Sequence, residues 1–275
     1  MILQRLGIDV VGGCNLKCVG CPNSTLDRKI RFTTPENFNL QLSNINVERI
    51  EFLKLYNFGE TLLHPNLDEI LAQIPKQKWN AKHIEMSTNG QVVDIKKLSA
   101  IFSSKIITRF GISCDGDCTP EEYMKLRKGA RWEKLIEFMI LAQEMRRKYN
   151  SKTKMFLKIF CTGNKLQWKK LAKDMDYRIQ WRRWMKPPDS IKFMHTKRKK
   201  VNGVCNHVRS TKIRCYVDWD GVVVPCCCYP RAGVFGSLKK QKFTEIYGGD
   251  KRKAFIRKLR RNRQSHQICK NCEAK

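Results

Sequence analysis

Short apolar runs alternate with amphipathic stretches along the first two-thirds of the chain. The apolar runs predict six strands at Gln4–Val11, Arg49–Tyr56, His83–Ser87, Ile106–Ser113, Lys154–Cys161 and Tyr177–Trp184. Helical spacing of apolar residues predicts intervening helices at Pro35–Ile45, Leu67–Ile74, Ile95–Phe102, Pro120–Leu126, Trp132–Tyr149 and Lys165–Met175. This order predicts a parallel α/β sheet covered by helices. Six units are too few for a complete eight-fold barrel, so we expect a partial (βα)6 TIM barrel with its functional groups at the carboxyl ends of the strands.

The pattern changes near residue 190. Pro187-Pro188-Asp189 interrupts it, and the basic stretch Lys192 to Lys200 reads as a linker or an exposed loop. Short β-rich runs, cysteines and a basic helix from Asp250 to Arg263 follow. We therefore predict a barrel domain over residues 1–190 and a small cysteine-rich domain with a β-hairpin and a helix over residues 191–275.

Charge and cysteine content narrow the function classes. The 275 residues carry a formal charge of +30, which suits a polyanionic partner such as nucleic acid, although a lysine-rich solvated surface explains it equally well. No segment resembles a signal peptide or a membrane span, so we expect a cytoplasmic protein with no membrane partner. In a reducing compartment the 13 cysteines are better read as metal ligands than as disulfides. Cys114, Cys118 and Cys161 are read as buried small residues.

Three cysteines follow the first predicted strand. Cys14, Cys18 and Cys21 have the spacing C-x3-C-x2-C. Three thiolates can hold three corners of a cubic iron–sulfur cluster and leave the fourth iron open to bind a small molecule. The alternative is a structural zinc site, but this would need a fourth ligand, and no cysteine or histidine lies near in sequence.

Glycine-containing polar turns follow the next three strands. They are Phe58-Gly59-Glu60-Thr61, Ser87-Thr88-Asn89-Gly90 and Ser113-Cys114-Asp115-Gly116. Any one of them could be an ordinary turn. Three in succession, at the same end of one sheet as the cysteine loop, predict a ligand site that backbone can approach closely.

Over roughly residues 4 to 165 the chain resembles the radical S-adenosylmethionine (radical SAM) enzymes. The resemblance implies that Cys14, Cys18 and Cys21 bind a [4Fe–4S] cluster whose open iron is chelated by SAM. Phe58 and Thr61 depart from the family's Gly-Gly-Glu-Pro segment, which keeps its second glycine and its glutamate here. The residues implied to contact SAM are Gly59, Glu60, Ser87, Asn89, Ser113, Asp115 and Arg127.

The resemblance also implies the reaction. An external electron donor of the flavodoxin or ferredoxin type reduces the cluster, and SAM is cleaved to methionine and a 5′-deoxyadenosyl radical. That radical abstracts hydrogen from an unreactive C–H bond of the substrate. The cofactor supplies the difficult chemistry, so no acid or base residue is assigned.

A second set of cysteines lies in the last third of the chain. Asp220-Gly221 between two β-rich runs predicts a hairpin that would bring Cys215 and Cys226 together. This region resembles the SPASM and twitch extensions of radical SAM enzymes, which implies one auxiliary [4Fe–4S] cluster. Its implied ligands are Cys215, Cys226, Cys269 and Cys272, with Cys205, Cys227 and Cys228 as spare candidates. A zinc ribbon, with His207 or His266 available, is the alternative.

Basic residues give the only indication of a substrate. Three basic regions can contact phosphates or bases: the sixth strand, where arginine and tryptophan occur together, the basic linker and the basic helix. Such residues more usually form a solvated face. The candidate nucleic-acid contacts are Arg182, Arg183, Lys197, Arg198, Arg257, Arg260 and Arg261. We predict rearrangement or oxidation of a modified nucleobase substituent in DNA or RNA, by analogy with phage thymidine hypermodification. The alternatives are a ribosomal-peptide maturase and a zinc-bearing nucleic-acid-binding protein that is not an enzyme.

Overall fold

A computed structural model of the protein describes residues 1–26, 28–182, 201–209 and 213–274. Its strands are β1 (Ile2–Leu3), β2 (Arg5–Ile8), β3 (Lys17–Cys18), β4 (Arg49–Lys54), β5 (Asn80–Thr88), β6 (Arg109–Gly116), β7 (Arg127–Lys128), β8 (Lys154–Cys161), β9 (Arg178–Trp181), β10 (Arg214–Val217), β11 (Val222–Val224) and β12 (Gly236–Ser237). Its α-helices are α1 (Pro22–Thr25), α2 (Pro35–Ser43), α3 (Leu67–Ala72), α4 (Ile95–Ser103), α5 (Pro120–Leu126), α6 (Trp132–Lys148), α7 (Lys165–Asp174), α8 (Phe243–Gly248) and α9 (Asp250–Asn262).

Six parallel strands form the barrel in chain order. The sheet runs β2-β4-β5-β6-β8-β9, and every neighbouring pair in this run is parallel. The six predicted strands and the intervening helices are therefore confirmed, with shifts of a few residues at their ends. Because parallel strands all end at the same edge, the loops after β2, β4, β5 and β6 meet there.

Local sequence signals explain where the helices begin. The side chains of Thr34, Asp94, Thr119 and Asn164 each accept a backbone N–H from the first turn of α2, α4, α5 and α7. Proline occupies the first helical position of α2 and α5, where its missing N–H costs no hydrogen bond.

The two faces of the barrel sheet differ in polarity. On β6 and β8 the helix-facing residues Phe110, Ile112, Leu157 and Ile159 are fully buried. The alternate positions turn towards the barrel interior and include the polar or charged residues Ser113, Asp115 and Lys158 beside Phe156 and Phe160. The apolar face packs the core and the polar face forms the wall of a ligand site.

The cysteine-rich region continues the barrel sheet. β10 pairs in parallel with β2, and β11 and β12 add antiparallel strands beyond it. The hairpin predicted at Asp220-Gly221 is confirmed, with Gly221 at a positive φ of 85°. The predicted domain boundary near residue 190, the Pro187-Pro188-Asp189 break and the basic stretch Lys192 to Lys200 lie outside the described residues.

No described helix is both long enough and apolar enough to cross a bilayer.

Candidate active site

The first cysteine loop lies over the carboxyl edge of the barrel. Cys14, Cys18 and Cys21 all line one cavity of about 270 Å³. The loop is fixed by the short antiparallel pair β3–β7, in which Cys18 faces Arg127. This pairing brings the arginine after α5 to the cysteine loop, a contact between residues more than 100 positions apart in the sequence.

The three thiols occupy a buried environment. Burial raises the pKa of Cys14 to about 11 and that of Cys18 to about 12, and it also raises the pKa of Cys21. Each thiol therefore keeps its proton unless a cation takes its place, because thiolates are the form that binds metal. A buried thiol triplet that remains inert without a cation fits a metal-cluster site.

The loop after β4 is held by a buried carboxylate at the end of β2. Asp9 accepts backbone N–H groups from Asn57, Phe58 and Gly59, at 2.7, 3.1 and 3.3 Å to its Oδ1. A Cβ at Gly59 would overlap the carbonyl oxygen of Val11, so only glycine permits this approach. Sequence reasoning missed Asp9, which positions the Gly59-Glu60 turn.

Glu60 connects two strand ends. Its Oε2 accepts the backbone N–H of Asn89 at 2.7 Å, and its Oε1 accepts that of Leu62 at 3.1 Å. The amide Nδ2 of Asn89 donates to Asn15 Oδ1 at 2.8 Å and lies 3.6 Å from Cys14 Sγ. The turns after β4 and β5 and the cysteine loop therefore form one hydrogen-bonded unit.

Asp115 and Arg127 form a buried pair beside this unit. Arg127 Nη1 lies 3.4 Å from Asp115 Oδ2, and Phe160 donates its backbone N–H to Asp115 Oδ1 at 3.1 Å. The Nε of Arg127 is buried and has no hydrogen-bond partner among the described residues. Arg127 lines the cavity, where a guanidinium fork is suited to bind a ligand carboxylate.

All seven residues predicted to contact SAM lie around the one cavity. They are Gly59, Glu60, Ser87, Asn89, Ser113, Asp115 and Arg127. Tyr56, Asn57, Thr88 and Lys158 also line it and were not predicted. Strand alternation could have identified Lys158, because it faces the same way as Phe160 at the end of β8.

The second group of cysteines gathers in the region after β9. The pKa of Cys269 is raised to about 12, mainly by burial. The nearby thiols of Cys205, Cys226 and Cys272 raise it further. Cys228 Sγ lies 3.3 Å from His207 Nε2, and Cys227 Sγ lies 4.0 Å from His207 Nδ1. Cys205 is thus placed near the predicted ligands Cys226, Cys269 and Cys272, and the thiol of Cys228 contacts those of Cys226 and Cys272.

Cys215 is not placed with this group. It is 1 % exposed in the hydrophobic core, and its pKa is raised by burial alone. In the hairpin, Tyr216 pairs with Val224 and Val217 pairs with Val223. If this register continues, Cys226 lies opposite Arg214, and Cys215 lies on the other face of the sheet. This one-residue offset opposes the expectation that the hairpin joins Cys215 to Cys226.

A buried arginine holds the last two cysteines. Arg263 is 2 % exposed, and it donates from Nε to the carbonyl oxygen of Cys269 at 3.1 Å and from Nη2 to that of Cys272 at 2.8 Å. Arg263 was predicted only as part of a basic helix, yet it orients the Cys269-x2-Cys272 turn.

The predicted nucleic-acid residues fall in three places. Arg182 lines the cavity, Arg257 and Arg260 line a groove of about 740 Å³ with Arg209, and Arg261 is exposed on α9. Arg183, Lys197 and Arg198 lie outside the described residues.

Two family models match the chain. The model of the radical SAM superfamily matches residues 8–174, and the model of the SPASM iron–sulfur cluster-binding domain matches residues 192–273. No curated protein matches the chain.

Solved structures match the whole fold. BtrN in complex with AdoMet and 2-DOIA has a TM-score of 0.62 and 18 % identity, over 99 % of this chain and 93 % of that chain. The anSMEcpe protein with bound AdoMet and Cp18Cys peptide has a TM-score of 0.68 and 18 % identity, over 94 % and 83 %. At this identity the likeness shows the fold alone, and it confirms the partial barrel with its C-terminal extension.

Proposed function

The chain belongs to the radical SAM superfamily and carries a C-terminal SPASM domain, and on this premise we propose that it rearranges or oxidises a substituent on a nucleobase of DNA or RNA. Its cofactors are a SAM-binding [4Fe–4S] cluster, SAM and an auxiliary iron–sulfur cluster. The enzyme class follows from the family, which removes the zinc-bearing binding protein as an alternative. The substrate class is our proposal, together with a flavodoxin- or ferredoxin-type electron donor.

The residues around the cavity fit the family's cofactors. We assign Cys14, Cys18 and Cys21 to the SAM-binding cluster, Glu60 to the amino group of SAM and Arg127 to its carboxylate. When bound, these cofactors supply a 5′-deoxyadenosyl radical that removes hydrogen from a substrate C–H bond. The place of buried Arg127 in the lining of this cavity, beside Asp115, supports this assignment.

We assign the auxiliary cluster to Cys205, Cys226, Cys269 and Cys272. The electrostatic neighbours of Cys269 support this set, and the core position of Cys215 opposes its inclusion. Arg263 orients the two C-terminal ligands through their carbonyl groups.

A basic groove is the observation that carries the nucleic-acid proposal. Its cationic lining is Arg209, Arg252, Lys253, Arg257 and Arg260, and none of the described residues that line it is acidic. Leu259 is buried and Phe255 and Ile256 are half-buried against the core, so α9 turns Arg257 and Arg260 outward. Arg252 is the exception, because it donates to the carbonyl oxygens of Tyr247 and Val208 and serves the fold.

Salt-dependent binding tests this proposal. We expect the holoenzyme to bind single-stranded or duplex DNA or RNA at low salt. The double variant R257Q/R260Q should reduce the slope of log affinity against log salt concentration by about 2, because it loses two phosphate contacts. The matched control R147Q/K148Q removes the same charge from exposed positions on α6 and should leave the slope unchanged. Absence of binding to every polymer at low salt would overturn the nucleic-acid substrate.

A peptide substrate is the second candidate. The groove would equally suit an acidic peptide, and the solved anSMEcpe structure contains a bound peptide. Retention of an acidic peptide, with no retention of nucleic acid at the same ionic strength, would favour a ribosomal-peptide maturase.

A further inference from the structure

Three cations surround one carboxylate in the barrel interior. Lys158 Nζ lies 2.6 Å from Glu85 Oε1, and Lys54 Nζ and Arg109 Nε lie 3.3 and 3.6 Å from Glu85 Oε2. The side chains of Glu85 and Lys158 are only 4 % and 6 % exposed. One buried carboxylate therefore faces three positive charges.

Tyr56 joins this group to the cavity. Its hydroxyl donates to Glu85 Oε1 at 2.6 Å and accepts from Lys158 at 2.8 Å and from Lys54 at 3.0 Å. Tyr56 and Lys158 line the same cavity as the first cysteine triplet. The charged group therefore reaches the cavity through Tyr56 and Lys158.

The backbone makes room for Lys158. A Cβ at Gly111 on β6 would overlap the Cε of Lys158, so the lysine stem lies across the strand where a glycine leaves space. Because β6 lies between β5 and β8, Lys158 crosses β6 to reach Glu85 on β5. The position of Lys158 therefore depends on its own strand, β8, and on the glycine of the neighbouring strand, β6.

Two further arginines leave the charge unbalanced. Arg5 and Arg182 act electrostatically on both Lys54 and Tyr56, and Arg182 also lines the cavity. The Nε of Arg5 is buried without a partner among the described residues, and the exposed Arg182 also acts electrostatically on Asp115. Arg5 and Arg182 therefore add two positive charges to the three that already share Glu85, and like charges close together are unfavourable unless a further anion joins them.

We propose that Lys158 and Arg182, the two cations of this group that line the cavity and here called the interior cation cluster, bind an anionic group of the substrate, a carboxylate or a phosphate, with Lys54 and Arg5 as further positive charges nearby. The SAM carboxylate is assigned to Arg127, so the cluster is available to the substrate. This inference rests on the proposed function, because it assumes that the substrate binds in the cavity beside the first cysteine triplet. Tyr56 is the neutral donor of the site, since its hydroxyl can turn from Glu85 to the bound anion.

Small matched probes test this site. The reconstituted holoenzyme, saturated with SAM, is titrated calorimetrically with inorganic phosphate, malonate and the neutral analogue malonamide. We expect saturable binding of an anion and none of malonamide, with the preferred anion distinguishing a phosphate from a carboxylate substrate. Loss of one charge-assisted hydrogen bond in K158Q or R182Q should weaken that binding roughly tenfold or more. The control K170Q, at an exposed position on α7, should bind as the wild type does.

Two results would overturn the site. One is that neither anion binds in the millimolar range, and the other is that K158Q and R182Q both bind the anion as the wild type does. R182Q keeps the test valid if K158Q fails to fold, because Arg182 is exposed. A holoenzyme that forms no 5′-deoxyadenosine yet loses the anion in these variants would contradict the proposed function and support the site.

Discussion

The carboxylate of Asp9 accepts the backbone N–H of Asn57 at 2.7 Å, and this contact joins the end of the first barrel strand to the loop after the second. Two further N–H groups of the same loop, from Phe58 and Gly59, converge on it. Glu60 follows directly, so its position depends on a residue that lies 51 positions earlier and does not itself line the cavity. Asp9 is a positioning residue.

We predict that D9N weakens SAM binding about tenfold. An amide offers one acceptor oxygen and no charge, and charge-assisted hydrogen bonds are roughly twice as strong as neutral ones. The dissociation constant of SAM, measured by equilibrium dialysis on the reconstituted protein, checks this. D176N removes a carboxylate from an exposed ion pair with Arg146 and is the control. Unchanged SAM affinity in D9N would show that the loop does not need this carboxylate.

For Arg127 the conservative substitution is the informative one. R127K keeps the positive charge but loses the planar fork that can grip a carboxylate at two points. We expect SAM affinity to fall between tenfold and a hundredfold, with iron content unchanged. The affinity for S-adenosylmethionine methyl ester, which lacks the carboxylate charge, should change little. A similar loss for both ligands would mean that Arg127 acts through the fold of the cysteine loop.

The sequence was informative where function depends on local spacing. The strands, the cysteine triplet and the turns that carry six of the seven predicted SAM contacts follow from short motifs at strand ends, and the parallel sheet brings them together, whereas Arg127 was implied by the family resemblance alone. Asp9 and Glu85 were missed because their roles depend on contacts across strands, and strand alternation places Lys158 on the cavity face without showing its partner. No spacing in the sequence shows that Lys158 crosses Gly111 to reach Glu85.

The auxiliary cysteines show the same limit. A turn at Asp220-Gly221 predicts a hairpin, but the face of each residue depends on the register, and one residue of offset separates Cys215 from Cys226. Cys205 comes from a segment with no secondary structure of its own, and its approach to Cys226 could not be read from the sequence.

Iron content distinguishes Cys205 from Cys215. We predict that C205A loses the iron of the auxiliary cluster, whereas C215A retains it and is destabilised by about 1 kcal/mol through lost packing. Iron and sulfide analysis of anaerobically reconstituted variants, with visible absorbance, checks both. The reverse outcome, full iron in C205A and depleted iron in C215A, would restore the ligand set expected from the hairpin motif.

Glu85 gives a prediction for stability and its pH dependence. Burial acts to raise the pKa of Glu85, but Lys158 and Lys54 outweigh it and lower the pKa to about 2. The ionised form therefore stabilises the folded chain fully above its unfolded pKa of about 4.3, and this contribution is lost as the pH falls through about 2. We expect E85Q to lose about 3 kcal/mol in the free energy of unfolding at pH 7, because three cations lose their partner. In urea unfolding the gap to the wild type should narrow at pH 3, and an equal gap at both pH values would contradict the ion-pair account.

The most direct test of the central claim is the formation of 5′-deoxyadenosine from SAM by the reduced, reconstituted protein. Chromatography of the products should show 5′-deoxyadenosine and methionine in equal amounts. The variant C14A/C18A/C21A should form neither, whereas C118A/C161A, which removes thiols away from the cluster loop, should still form both. Absence of 5′-deoxyadenosine from wild-type protein with its full iron content, or equal formation by the triple variant, would contradict the assignment of this cavity as a radical SAM active site.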